Sequence, residues 1–520
     1  MQKVTYSSLG SLGEDFHKAY DSALSYELKK LGRPHPLVIR GQKKKSKANF
    51  TDTNPADTRM VLGEFAAGTR ADAGLAITAA RDAFADWREL GWPQRVAFLR
   101  KAAEIMTERQ FRLAALLSLE VGKNRFEAIA EVSESIDLIL YYCQQMESNR
   151  GYVLPMGVNG NAAEQTRSVL KPHGVWAVVS PFNFPLALAT GMAAGALVTG
   201  NTVVFKPASD TPLSGWWLQE ILHEAGLPAG VFNLLTGPGS IVGEELVTNP
   251  VLDGLVFTGS RAVGIDILRR FNASRLRPAI AEMGGKNACI VMPSANLDAA
   301  TDGVLRSAFG MGGEKCSACS RLYLHERIAK SFLDLLVEKT KKIVIGNPTQ
   351  RETFLGPLIN ESAVAKYEAA VKIGKKEGRV LLGGNKLKGE GFDHGFFVEP
   401  TILTGAPKTS RLFQEEFFAP ILSVAEVKSL DEAITLANAS EYGLTAGIFT
   451  GEEHEAEAFF DRVEAGVAYS NRRGGATTGA WPGVQSFGGW KNSGSSGKSA
   501  LGPHYLAQFM REQSQTRVKG

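Results

Sequence analysis

Cys316 lies in a run of small residues, Phe309-Gly310-Met311-Gly312-Gly313-Glu314-Lys315-Cys316-Ser317-Ala318, and upstream of it Glu282 is followed by Gly284, Gly285 and Lys286. A thiol needs little help to attack a carbonyl carbon, and a carboxylate can then activate water. With a hydride acceptor beside them, this pair would oxidise an aldehyde through a thiohemiacetal and a thioester. Asn183, in Ser180-Pro181-Phe182-Asn183-Phe184-Pro185, carries an amide able to donate to the developing oxyanion, together with a backbone N–H near Cys316. Taken alone, that asparagine is equally a turn residue, and Cys143 and Cys289 are read as buried small hydrophobes.

The elements that must position these groups follow from local patterning. Val175–Val179, Val203–Phe205, Val231–Leu235 and Leu255–Phe257 are short β-rich runs, separated by helical periodicity over Leu186–Thr199, Pro212–Ala225 and Ile241–Leu246. That alternation predicts βαβ units and a parallel sheet covered on both faces. A second α/β segment begins near Ala288, with strands at Ala288–Met292 and Arg321–Leu324 and helices at Asp298–Phe309 and Ala329–Val344. The N-terminal part is a helical layer, from Ala71 to Trp87, Gln94 to Leu119, and past a break at Gly122 into Glu127 to Tyr142. The first fifty residues read as an extension, with the basic run Lys43-Lys44-Lys45 as a solvated turn. The Gly- and Lys-rich stretch Gly374–Phe392 reads as a surface hairpin. In the Gly-rich stretch Gly474–Gly502, the aromatic residues Trp481, Phe487 and Trp490 predict an ordered loop against a pocket.

A dinucleotide requires backbone room at its pyrophosphate and a polar partner for its ribose. The tight GxGxxG fingerprint is missing, and Gly237-Pro238-Gly239-Ser240-Ile241-Val242-Gly243 is a loose relative. Thr258, Gly259 and Ser260 fall at a strand end and helix start, where free amides can meet phosphate; an ordinary capped turn is the competing reading. Lys206 ends a strand and points toward the crevice where such sheets bind ligands.

The chain has 520 residues, 44% hydrophobic and 22% charged, with a net charge of +4, which suits two to four domains with large cores. A charge that dilute gives no reason to expect nucleic acid or an anionic membrane as a partner. Four cysteines and eight scattered histidines form no zinc set, so no metal is expected. The chain shows neither a signal peptide nor a confident membrane span, and a cytoplasmic protein is expected.

The motifs together resemble an aldehyde dehydrogenase across about residues 35 to 515: Pro181-Phe182-Asn183-Phe184-Pro185, Phe205-Lys206-Pro207, Phe257-Thr258-Gly259-Ser260, Glu282-Met283-Gly284-Gly285-Lys286, the Cys316 run, and Glu415-Glu416-Phe417-Phe418-Ala419-Pro420. The resemblance implies Cys316 as nucleophile, Glu282 as base and Asn183 as oxyanion donor. It implies an α/β fold with a Rossmann-like cofactor domain, an α/β catalytic domain and a β-flap that pairs subunits into homodimers or larger homo-oligomers. The corresponding boundaries are an extension at 1–35, a cofactor domain at 36–150 and 172–281, a catalytic domain at 282–470, a substrate-anchoring loop at 471–492, and a flap and tail at 151–171 and 493–520. The implied cofactor is NAD, with NADP possible. Lys206 would meet the adenosine ribose, Ser260 the pyrophosphate and Glu416 the nicotinamide ribose, while Phe418 packs near the nicotinamide; Ser180, Pro181, Ser209, Gly239, Thr258 and Gly259 complete the contacts.

Within the family the chain is most similar to 1-pyrroline-5-carboxylate dehydrogenases, which oxidise glutamate 5-semialdehyde. The likeness rests on Ser317, on Thr478-Gly479-Ala480 with Gly483-Val484-Gln485-Ser486-Phe487-Gly488-Gly489, and on Gly502-Pro503-His504-Tyr505-Leu506. It implies a small aldehyde carrying a distal carboxylate, held by the Ser317 hydroxyl and the amides of Gly479 and Ala480, with Phe184 and Phe487 along its aliphatic part. Four departures stand out. Ser209 occupies the place of a ribose-binding glutamate, which weakens discrimination against NADP unless Asp210 substitutes. Glu314 replaces a common glutamine and is expected to face away from Cys316. Ser486 replaces a proline, and Arg472–Trp481 is a longer loop than usual. Another aldehyde such as succinic semialdehyde, a thiol hydrolase without a redox step, and a non-catalytic protein on the same scaffold are the alternatives.

Overall fold

The computed structural model describes residues 4–6, 8, 12–158, 160 and 163–518. Two seven-stranded sheets dominate it. The first runs in the order Ala279–Glu282, Gly254–Thr258, Val175–Val179, Thr202–Lys206, Phe232–Leu234, Leu37–Ile39, Gln42–Lys44. Its first five strands are parallel and the last two antiparallel. The strands Thr202–Lys206 and Phe232–Leu234 are buried along their whole length, as a sheet covered on both faces requires. The chain lays down strands on one side of Val175–Val179, then returns to add Gly254–Thr258 on the other. The crevice at that reversal, outside the carboxyl ends, is where open α/β sheets take ligands.

The second sheet runs Arg379–Leu382, Thr401–Thr404, Ile421–Val427, Cys319–His325, Asn287–Val291, Thr445–Phe449, Val467–Ser470, parallel except for its first pair. The two sheets are joined by four residues. Glu282 ends the last strand of the first, and Asn287 starts the second, paired in register with Cys319. A third sheet pairs Glu164–Pro172 antiparallel with both Val153–Pro155 and Met510–Val518.

The helices Trp92–Glu108, Gln110–Val121 and Arg125–Ser148 form the N-terminal layer, broken at Arg109 as well as at Gly122. Gly122 adopts φ +85°, a left-handed helix end that glycine reaches without strain. Two buried acids of this layer cap helices that pack on the first sheet. Glu120 accepts from the amides of Leu213 and Ser214, and Glu131 from those of Leu186 (2.9 Å) and Ala187 (3.1 Å). Each carboxylate thus sits at the positive end of a helix.

Three expectations need correction. Gly374–Phe392 is not a hairpin: the helix Glu361–Glu377 runs through Gly374, which tucks against Leu403, before the strand Arg379–Leu382. Lys43 and Lys44 are strand residues rather than a free turn, with Lys44 ion-paired to Asp72. Trp490 is exposed in a two-residue strand against Tyr442–Gly443, while Trp481 is the buried anchor of its loop.

Candidate active site

Cys316 sits in the turn that leads into the strand Cys319–His325, and Asn287 Nδ2 clamps that turn by donating to the carbonyls of Cys316 (2.7 Å) and Ala318 (2.9 Å). The glycines around Cys316 are explained by close approach. A Cβ on Gly285 would lie 2.5 Å from the Cys316 carbonyl oxygen, and one on Gly284 2.1 Å from Glu416 Oε2. Gly312 and Gly313 take φ +63° and +65°, and a Cβ on Gly313 would meet the Ala419 carbonyl at 2.4 Å. Small residues in both motifs therefore let the join between the sheets close over the thiol.

Electrostatics push the groups here toward their neutral forms. Burial drives the Cys316 thiol up to about 12, helped by the charges of Glu416 and then Glu282, and opposed by the amides of Ser317 and Cys316. Burial also lifts Glu282 to about 8, against a hydrogen bond from the Gly489 amide, and its Oε2 is buried without a hydrogen-bond partner. Glu416 rises to about 7, again through burial, although Gly285 N donates to its Oε1 at 2.8 Å. Glu314, adjacent in sequence, turns its carboxyl to the Ile359 amide (3.3 Å), away from the thiol as expected.

Asn183 is buried. Its Nδ2 donates to the Glu314 carbonyl at 3.0 Å and its Oδ1 accepts from Phe184 N at 3.1 Å. An amide nitrogen has two protons, so one is left for a second acceptor. The loop is held from below: the ammonium of Lys123 lies 3.7 Å from the Phe184 ring centroid and forms a fully buried ion pair with Glu131, which caps the next helix. Neither Lys123 nor Glu131 stands out in the sequence; a lysine eight residues before a glutamate carries no distinguishing spacing.

A cavity of about 320 Å³ opens beside the thiol and is lined by Cys316, Ser317, Phe184, Gly479, Ala480 and Phe487, so all five expected substrate contacts share it with Cys316. Thr477 Oγ1 donates to the Ser317 carbonyl at 2.7 Å, locking its loop to the turn of Cys316. The carboxyl of Glu134, which sequence reasoning passed over, is on the same wall.

On the other side of the join lies the crevice of the first sheet. Ser180 Oγ is buried there without a partner, an orphaned donor. Ser260 precedes the helix Arg261–Phe271 and makes no capping bond with its side chain, which leaves its hydroxyl and the helix amides available to an anion. Lys206 is buried at its strand end, its ammonium donating to the Pro207 carbonyl at 3.0 Å, and burial lowers it to about 8. Phe418 takes φ +53°, a strained value for a bulky residue, and stands edge-on to Phe182 at 5.8 Å. Space around Gly239 is open, Pro181 is half-buried beside Ser180, and Thr258 ends its strand with Gly259 next, as expected. Ser209 instead donates to the Gly237 carbonyl (3.3 Å), and Asp210 accepts from Asn360 (3.0 Å). Among the described residues no group of three His, Cys, Asp or Glu could hold a metal ion, and no helix is long and apolar enough to cross a membrane.

Comparison with known proteins places this geometry in context. Residues 42–515 match the model of the aldehyde dehydrogenase family. The 1-pyrroline-5-carboxylate dehydrogenase of Geobacillus sp. (strain WCH70) is 38% identical over 502 residues, which cover 95% of each chain. A structure of 1-pyrroline-5-carboxylate dehydrogenase from Thermus with bound NAD superposes with a TM-score of 0.93 at 36% identity, covering 100% of this chain and 99% of that one. Proline utilization A from Bdellovibrio bacteriovorus gives a TM-score of 0.92 at 36% identity, covering 96% of this chain but 52% of that longer one.

Proposed function

The chain belongs to the aldehyde dehydrogenase family, and we propose that it oxidises L-glutamate 5-semialdehyde, the open form of 1-pyrroline-5-carboxylate, to L-glutamate with NAD. The observation that carries this is the shared cavity: a thiol at Cys316, a hydroxyl and two backbone amides at Ser317, Gly479 and Ala480, and a carboxyl at Glu134. The three neutral donors suit the substrate carboxylate, and Glu134 suits its ammonium. The names of the relatives and the bound NAD of the Thermus structure support the same substrate and cofactor.

The residues act in sequence. Cys316 Sγ adds to the aldehyde carbon as its thiol proton passes to water, and the oxygen takes up negative charge. Asn183 keeps one Nδ2 proton on the Glu314 carbonyl and offers the other to that oxygen. NAD, when bound in the crevice of Lys206, Ser260, Ser180 and Glu416, supplies the hydride acceptor. As the carbonyl re-forms, Cys316 holds the acyl group as a thioester. Glu282 takes a proton from water, whose hydroxide displaces the thiolate and releases glutamate. Glu282 then returns that proton to the departing thiolate, which restores both groups.

The layout that goes with this reading has the cofactor domain at 36–150 and 172–281, the catalytic domain at 282–470 and the anchoring loop at 471–492. The three-stranded sheet of residues 153–155, 164–172 and 510–518 would pair subunits, since Leu154, Met156 and Val158 on or beside it are exposed. Four free cysteines suit a cytoplasmic enzyme.

The test is a panel of aldehydes, including glutamate 5-semialdehyde in equilibrium with its cyclic imine, assayed with NAD and NADP by the absorbance of reduced nicotinamide. Glutamate 5-semialdehyde with NAD should give the highest kcat/KM. A higher value for succinic semialdehyde or a simple aliphatic aldehyde would refute the substrate, and absorbance that never rises would refute the redox step.

A further inference from the structure

The N-terminal segment, far from the other lining residues in sequence, reaches the cavity beside Cys316. Tyr6 lies on the cavity wall with Leu12. Its ring stands edge-on to two others: Phe184 on the cavity wall, with centroids 5.7 Å apart and planes at 81°, and Trp481 behind it, at 5.6 Å and 65°. Its hydroxyl donates to Glu134 Oε2 at 2.8 Å. Trp481 also donates from Nε1 to Asp137 Oδ2, one turn along the same helix, at 2.5 Å. One phenol therefore ties together the loop that carries Asn183, the anchoring loop and the helix that carries Glu134.

We propose that Tyr6 is a specificity-determining residue: its ring closes a wall of the aldehyde cavity, and its hydroxyl fixes the Glu134 carboxylate as counter-charge for a cationic group on the substrate. The inference rests on the substrate reading above and extends it to a segment outside the motifs. By donating to Oε2, Tyr6 leaves Oε1 to face the cavity. A donor also favours the ionised carboxyl, whereas burial opposes it and lifts Glu134 to about 7. The other charged groups acting on Glu134 are Glu131 and Asp137 on its own helix, which oppose ionisation, and Lys123 before that helix, which favours it. The Lys123 ammonium is already committed to Glu131. Tyr6 is thus the neutral donor on a carboxyl with few allies.

The experiment compares Tyr6→Phe and Tyr6→Ala with the wild-type chain on glutamate 5-semialdehyde and on glutarate semialdehyde, which keeps the carboxylate and chain length but lacks the ammonium. Tyr6→Phe should lower the ratio of kcat/KM, aminated over non-aminated, about tenfold, since a hydrogen bond to a charged group is lost. The loss should sit in KM rather than kcat. The acid limb of that ratio should move to higher pH, because the lost donor no longer favours the carboxylate. Tyr6→Ala should in addition raise kcat/KM for bulky apolar aldehydes relative to propanal by about tenfold. Melting temperatures near that of the wild type establish that both variants fold. Ratios within about twofold of wild type in Tyr6→Phe would overturn the role of the hydroxyl. If the wild-type enzyme oxidises glutarate semialdehyde but not the aminated aldehyde, the substrate reading fails by itself. Tyr6 is then judged by Tyr6→Ala on the apolar series, where an unchanged size preference overturns the proposal and a widened one upholds the wall.

Discussion

Replacing Glu282 with Gln separates the two halves of the proposed reaction. The glutamine keeps the shape of the side chain and removes the base. Because burial lifts Glu282 to about 8, about one tenth of the wild-type carboxyl is ionised at pH 7 and half at pH 8. Where thioester hydrolysis limits turnover, kcat should therefore climb almost tenfold per unit below pH 8 and level off above it. In Glu282→Gln, rapid mixing should show a burst of reduced nicotinamide close to one equivalent per thiol. The steady rate that follows should be about 10²–10⁴ lower than wild type and flat across that pH range. Loss of the burst together with the steady rate would refute this assignment and move Glu282 to the first half-reaction, as would a steady rate within tenfold of wild type.

The same substitution has a thermodynamic signature that does not depend on turnover. The ordinary carboxyl value is 4.5 and the folded one about 8. Between those values the unfolded chain has released its proton while the folded chain keeps it. Wild-type stability on this account falls as pH rises through that window, by about 1.4 kcal/mol per unit. Glutamine pays no such cost. Glu282→Gln should melt above wild type at pH 8, and the two should converge near pH 5. A variant less stable than wild type at pH 8 would mean that the carboxylate is better solvated than its burial implies.

Three further outcomes follow from the same geometry. Ser317→Ala removes one of the neutral donors on the cavity wall and should raise KM for carboxylated aldehydes about tenfold while affecting simple aldehydes less; equal effects in steady-state kinetics would count against the carboxylate role. Glu131→Ala strips a fully buried ion pair from Lys123 and the cap from the helix Ala187–Val198, and should cost about 3–5 kcal/mol in denaturant unfolding; a loss below about 1 kcal/mol would mean that water reaches Lys123. Gly285→Ala pushes a methyl group to within 2.5 Å of the Cys316 carbonyl and 2.6 Å of Asn287 Oδ1, neither of which can swing aside, so kcat should fall about 10²-fold with the thiol still titratable.

Much of this site was legible because the chemistry forces unusual residues into fixed spacings. Glycines at 284, 285, 312 and 313 look gratuitous in a sequence, and each proves to be a place where a carbonyl, a carboxyl or a left-handed turn leaves no room for a Cβ. The strands Val175–Val179 and Asn287–Val291 were visible because buried parallel strands are unbroken apolar runs. Residues that act through tertiary contact were not visible. Glu120, Glu131 and Glu134 sit on one helical layer at spacings that any solvated helix shows, yet all three are buried. Their partners, the amides of Leu213 and Leu186 and the hydroxyl of Tyr6, lie 55 to 128 residues away in the chain. Gly374 misled for the opposite reason. A glycine among lysines suggests a turn, but here it sits inside a helix because Leu403 packs where its side chain would be.

The protonation of the thiol itself gives the sharpest remaining test, because the site opposes it twice. Burial raises Cys316, and ionising either carboxyl raises it further, Glu416 more than Glu282. At pH 9 both carboxyls of the wild type are ionised, since they titrate near 7 and 8. Neutralising either one should then speed alkylation of Cys316 by iodoacetamide, with Glu416→Gln faster than Glu282→Gln and both faster than wild type. At pH 6 the wild-type carboxyls already hold their protons, and the three rates should coincide. Slower alkylation in Glu282→Gln at pH 9 would reverse the electrostatic argument. It would mean that Glu282 draws the proton from the thiol before it ever acts on water, and that field and base act in opposite directions on the same sulfur.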